Sequence, residues 1–149
     1  MSIFKSMNIT ASALTAQRLR MDVISSNMAN METTRARLED GEWQPYRRKT
    51  VELSSGSGSF SSFLQKAQGS AGPAGVKVTA IHEDTETPFK LVFDPAHPDA
   101  DGDGYVRLPN VDPLKEMVDL MSATRSYEAN VTVFNANKSM LTKALEIGR

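Results

Sequence analysis

Both ends of this chain are patterned to lie against another helix. From Ile3 to Asn30 there is no proline or glycine, and Met7, Leu14, Met21 and Met28 recur every seven residues, with Ile3 and Ile24 on the same seam. At the other end Met117, Leu120, Thr124, Tyr127, Val131, Phe134, Lys138, Leu141 and Leu145 alternate steps of three and four. Such a repeat makes an apolar stripe that a partner helix must cover. The first partner for each segment is the other; copies of the chain, or of relatives, come next. A chain built this way is an assembly protein rather than an enzyme.

The first segment predicts a helix of about 40 Å at 1.5 Å rise per residue. Ala11, Ala13 and Ala16 favour helix and permit close approach of a second one. Thr10 and Gln17 interrupt the seam, and Asn27, Asn30 and Thr33-Thr34 weaken and end it. Asp112-Pro113 opens the last helix, because Asp caps free N–H groups and Pro is tolerated in the first turn. With Gly148 as its stop, that helix would run about 50 Å, more than a small core can cover.

Between the helices the pattern changes to period two. Arg35 to Lys49 is polar and basic, with Gly41, Trp43 and Pro45 marking turns or extended backbone. Tyr46–Leu53, Val76–His82, Phe89–Phe93 and Tyr105–Leu108 read as short strands. Residues 54–75 are rich in Ser and Gly and read as a flexible loop, interrupted by a possible docking patch at Phe60, Phe63 and Leu64.

Composition removes several kinds of function. The net charge is −1, so nothing draws the whole chain to nucleic acid or an anionic membrane. No apolar run reaches the roughly 18 residues a membrane span needs. The start, Met1 to Ser6, lacks the features of a cleaved secretory signal. The chain has no cysteine and 2 histidines, His82 and His97, so thiolate chemistry is absent and general bases are scarce. No catalytic set and no cofactor site emerges.

Two motifs carry alternatives. Asp99, Asp101, Asp103 and Gly104 fill the first positions of a calcium loop, but Asn110 stands where the bidentate Glu belongs and Asp94–Pro98 cannot form an entering helix. A solvated turn is the better reading, with a calcium-dependent module on coiled-coil arms as the alternative function. Tyr46-Arg47-Arg48-Lys49, with Arg35 and Arg37, forms a basic patch that could stack and bind nucleic acid with Trp43, or set register against acidic residues of a neighbouring subunit. The second use is preferred, because the rest of the β-region is acidic.

The N-terminal run Ser12–Asn30, with Asn27, Ala29, Asn30 and Thr33 forming an Asn-x-Ala-Asn-x-x-Thr signature, resembles the opening helix of bacterial flagellar axial proteins of the rod and hook group. Within that group Thr33-Thr34-Arg35, Pro45–Lys49, Asp94–Ala100, Gly104–Val106, Leu108–Val111 and Met121–Asn137 resemble the proximal rod type. The likeness covers nearly the whole chain except 54–75. Glu32 and Arg35 depart from the wider group, where Asn and Gly are common; Arg35 suits the proximal rod type.

The resemblance implies a structural subunit of the flagellar basal-body rod, exported unfolded by the flagellar type III apparatus. Its partners would be copies of itself, other rod proteins and the adapter joining rod to membrane ring, with no nucleic acid and no membrane insertion. The expected fold is α+β: long N- and C-terminal helices pairing as an antiparallel coiled coil, with a small, mostly antiparallel β-module inserted. The expected division is 1–34 axial helix, 35–110 outer module and 111–149 axial helix. The expected assembly interface comprises Met7, Leu14, Met21, Ile24, Asn27, Met28 and Asn30 with Met117, Leu120, Tyr127, Val131, Phe134, Leu141 and Leu145.

Overall fold

The computed structural model describes residues 3–39, 41–56, 64, 67 and 75–147. Helix α1 runs Ile3–Ala29. It is followed by strands β1 Arg37–Glu39, β2 Glu42–Gln44, β3 Lys49–Ser55, β4 Val76–Glu83, β5 Lys90–Phe93 and β6 Tyr105–Leu108, and then by α2 Pro113–Ile147. The fold is α+β, with long terminal helices and short paired strands between them. Most of the Ser/Gly loop expected over 54–75, with Phe60 and Phe63, lies outside the described residues.

The helix ends follow from their capping chemistry. The Asp112 carboxylate accepts the Leu114 N–H at 3.1 Å, and Pro113 occupies the first turn where its missing N–H costs nothing. At the C-terminus of α1, Asn30 directs both its backbone N–H (3.1 Å) and its side-chain amide (2.8 Å) to the Ser26 carbonyl. The Thr33 hydroxyl then donates to Asn30 Oδ1 at 3.2 Å. These bonds satisfy groups a helix end leaves open. Helical Thr10 and Thr15 bond back to the carbonyls four residues earlier, so their hydroxyls need no outside partner.

The strands form three two-stranded ribbons: β1 with β2, β3 with β4, β5 with β6. In the first, Arg37, Leu38 and Glu39 oppose Gln44, Trp43 and Glu42. Gly41 in its turn has φ 87°, a conformation that favours glycine. This ribbon was not foreseen as strands, because its three-residue arms carry too few apolar positions to alternate. The strand expected from Tyr46 begins only at Lys49; Tyr46 and Arg48 are engaged in a side-chain network instead. In β5–β6, Lys90 to Phe93 oppose Leu108 to Tyr105.

The chain divides into two compact units, one of Met1–Met21, Val51–Ala80 and Ser122–Arg149, the other of Asp22–Thr50 and Ile81–Met121. In the first unit α1 and α2 lie antiparallel: Asn137 donates to the Ser6 hydroxyl at 3.1 Å, and the Thr124 hydroxyl meets Met21 Sδ at 3.6 Å. As one helix advances from 6 to 21, the other retreats from 137 to 124. Ala16 and Ala123 are 2% and 1% exposed, and such small side chains allow close helix packing. Ser12 receives the Val76 N–H at 3.0 Å, and a Cβ on Gly75 would collide with the Ser12 hydroxyl. In the second unit Val23, Ile24, Tyr46, Val106 and Val111 form the apolar core. Among the described residues no helix is long and apolar enough to cross a membrane.

Candidate assembly interface

The second unit is organised around an amide. Asn27, at the end of α1, is 0% exposed. Its Oδ1 accepts from the Tyr46 hydroxyl at 3.0 Å and the Lys49 backbone N–H at 2.9 Å. Its Nδ2 donates to the Lys49 carbonyl at 2.8 Å and to Glu116 Oε2 at 3.0 Å. Those four bonds use the whole capacity of an amide. By engaging both N–H and C=O of Lys49, Asn27 holds the first residue of β3 much as a neighbouring strand would.

Glu116, on the first turns of α2, is also 0% exposed. Arg48 Nε donates to its Oε1 at 2.6 Å, and Arg48 Nη2 reaches Asp119 at 3.5 Å. The Arg48 N–H donates to Asn110 Oδ1 at 2.8 Å, while the Asn110 amide donates to the carbonyls of Asp84 (3.0 Å) and Thr87 (3.2 Å). A buried carboxylate is tolerable here because both its oxygens are bonded and a guanidinium sits against it. The end of α1, the start of β3, the segment after β4 and the start of α2 are thus tied by one connected set of polar groups. Hydrogen bonds from the Thr87 backbone, then its hydroxyl, hold Asp84 below the usual carboxylate range, with Arg48 adding to the effect.

Sequence reasoning set the basic patch against a neighbouring subunit; the structure engages each of its cations within the chain. Arg48 meets Glu116, Arg35 meets Asp99, Arg37 meets Glu39 at 3.4 Å, Arg47 lies 4.6 Å over the Phe89 ring and Lys49 lies 5.6 Å from Tyr46. The Asp-rich segment is a turn closed by the chain itself. Asp99 accepts from Arg35 Nε at 2.6 Å and from the Thr34 hydroxyl at 2.7 Å. Asp101 lies 3.8 Å from Arg107, and Gly104 turns the backbone with φ 80°. Among the described residues no group of three or more His, Cys, Asp or Glu is placed to hold a metal ion.

The Arg35 guanidinium, then the Thr34 hydroxyl, hold the Asp99 carboxyl below its ordinary pKa. A group depressed in the fold stabilises above its unfolded value, about 3.9, and loses that contribution as pH falls through the folded value. An Asp99→Asn variant should therefore show a shallower loss of stability below about pH 4 than the parent. Denaturation midpoints from pH 2 to 7 would read this; parallel acid limbs would contradict it.

The candidate seam residues divide by position. Ile24 and Asn27 are buried; Met7, Leu14, Met21, Met28, Asn30, Leu120, Tyr127, Val131, Phe134 and Leu141 are half-buried. Met117 and Leu145 are 43% and 73% exposed. The contributions of Glu116, Arg48, Asn110 and the buried Asn137 were missed. One signal was available: stepping back one turn from Leu120 along the inward face reaches Glu116 as readily as Met117.

Two family models match the ends of the chain. One described as flagella basal body rod protein covers residues 7–37. Another, described as flagellar basal body rod FlgEFG protein C-terminal, covers 103–147. The first contains Asn27, Asn30 and Thr33; the second contains Glu116. A curated relative from Bacillus subtilis, flagellar basal-body rod protein FlgC, is 63% identical, with 100% of each chain covered. The chain belongs to the FlgC family. Further FlgC relatives are those of Borreliella burgdorferi, 46% identical over 99% of this chain and 98% of the relative, and Salmonella typhimurium, 42% identical over 100% of both.

Membership in the FlgC family makes the chain a structural subunit of the proximal rod in the flagellar basal body, serving motility. The calcium-module alternative finds no support in these relatives or in the Asp-rich turn. As a FlgC-family member the chain associates with other components of the basal-body rod.

Proposed function

We propose that this rod subunit polymerises through its terminal helices, 1–34 and 111–149, with residues 35–110 packed outside them, and that the polymer is the drive shaft carrying motor torque. The observation that carries this reading is the apolar surface left on α2 after it has packed on α1. Leu114 is 70% exposed, Val118 61%, Val133 49% and Met140 55%. A pair of helices covers one stripe on each; a second stripe calls for further helices. Met7, Leu14, Met21 and Met28 on α1, with Tyr127, Phe134 and Leu141 on α2, retain half-buried surface for the same use.

Contacts that join unlike surfaces and do not close produce helical assemblies. Copies of this chain, other rod proteins and the adapter to the membrane ring are the partners, and the flagellar type III apparatus is the export route. The role is structural and involves no catalysis.

Amide exchange followed by mass spectrometry tests the proposal. In the free monomer, protection should concentrate in 22–50 and 81–121, where the Asn27 network lies, and be weak in the outer halves of both helices. In assembled rods those halves should become slow. Slow exchange along both helices in the monomer would contradict folding on assembly.

A further inference from the structure

Two exposed apolar features of the second unit are complementary in form. On α2, Leu114, Met117, Val118 and Met121 are 70%, 43%, 61% and 54% exposed. Their spacing, i, i+3, i+4 and i+7, is that of the four residues forming a hole for a side chain from a facing element. On the β1–β2 ribbon, Leu38 and Trp43 are directly paired across the strands and are 57% and 55% exposed. Directly opposed residues share a face, so the two make one apolar knob. A two-stranded ribbon of three-residue arms is marginal by itself and gains from being covered.

We propose that the Leu38–Trp43 knob of one subunit seats in the Leu114–Met121 hole of a second copy of this chain. This rests on the polymer reading above and names one of its contacts. Charge favours this occupant. The end of the ribbon carries the paired Glu39 and Glu42, whereas the hole is bordered by Lys115 and lies on the first turns of α2, where the helix dipole is positive. Phe93 offers a less suitable knob. It is packed edge-on against Tyr105, with ring centroids 5.3 Å apart, on a face that also carries Leu91.

Trp is enriched among residues that anchor interfaces, and methionines adapt a hole to it. Knob and hole are different surfaces, so the contact is head-to-tail and can repeat along an open array. It buries far less than the roughly 800 Å² per partner of a stable complex, so it should hold only inside a polymer.

The chain has no cysteine, which makes cross-linking clean. Cells carrying Trp43→Cys with Val118→Cys, oxidised and fractionated for basal bodies, should yield a ladder of disulfide-linked multimers. Either substitution alone should yield none, and Phe93→Cys with Val118→Cys should match that background. Leu38→Cys with Met121→Cys is a second pair should the first impair the fold. In the cross-linking background Glu42→Lys should lower the yield and Lys115→Glu should restore it. Rods that assemble without a ladder from either pair overturn this contact and leave helix-mediated polymerisation intact. A dimer from Trp43→Cys alone, as strong as from the pair, overturns the head-to-tail geometry. Failure of the polymer reading would show separately, as helices already protected from exchange in the monomer.

Discussion

Replacing Glu116 by alanine should destabilise the second unit by about 3 kcal/mol, near the low end of the cost of removing one partner from a buried ion pair. The low end applies because Asp119 lies 3.5 Å from Arg48 and can take part of its charge. The variant leaves the Arg48 guanidinium, 14% exposed, without its closest partner, and strips one acceptor from Asn27. The paired change Arg48→Met with Glu116→Leu should recover most of the loss, since an apolar replacement removes both buried charges together. A residual deficit of about 1–3 kcal/mol would remain for the unsatisfied Asn27 donor. Urea unfolding followed by the fluorescence of Trp43, the chain's single tryptophan, reads both variants. A Glu116→Ala midpoint within error of the parent would remove the network from any account of stability.

Placing a charge on the seam should have the largest effect in the cell. Phe134→Asp, or Leu141→Asp, should leave a soluble subunit and abolish rods and motility. Phe134 and Leu141 are half-buried in the single chain and would be covered by neighbouring helices in the proposed polymer. A carboxylate enclosed there meets at best Lys138, one turn away on the same seam, and the cost of burying the charge recurs in every subunit. Swimming in soft agar with electron microscopy of basal bodies distinguishes the outcomes. Motile cells carrying either substitution would count against assembly through this seam.

The helices were legible because their signals are local. Freedom from Pro and Gly, period-seven methionines and an Asp-Pro start need no knowledge of the rest of the chain. Strands β4, β5 and β6 were legible for the same reason, through alternation over four to eight residues. The Asn27 network was not. Its partners Tyr46, Lys49 and Glu116 lie 19, 22 and 89 positions away, and two of its bonds go to a backbone whose identity no side chain advertises. An Asn at the end of an apolar seam resembles an interface residue in a one-dimensional reading. The intrachain partners of the basic patch were hidden for a related reason: Glu116 and Asp99, which engage two of its arginines, lie more than sixty residues on.

Asn27 also sets how this region can yield under load. A helix held by packing alone can creep, exchanging one methyl contact for the next. Shifting α1 by one turn, about 5.4 Å, would instead sever all four Asn27 bonds at once. That makes the joint a detent with one notch: stiff under small twists, and released only when a whole set of bonds fails together. A shaft assembled from such subunits would take up load without α1 creeping inside any one of them.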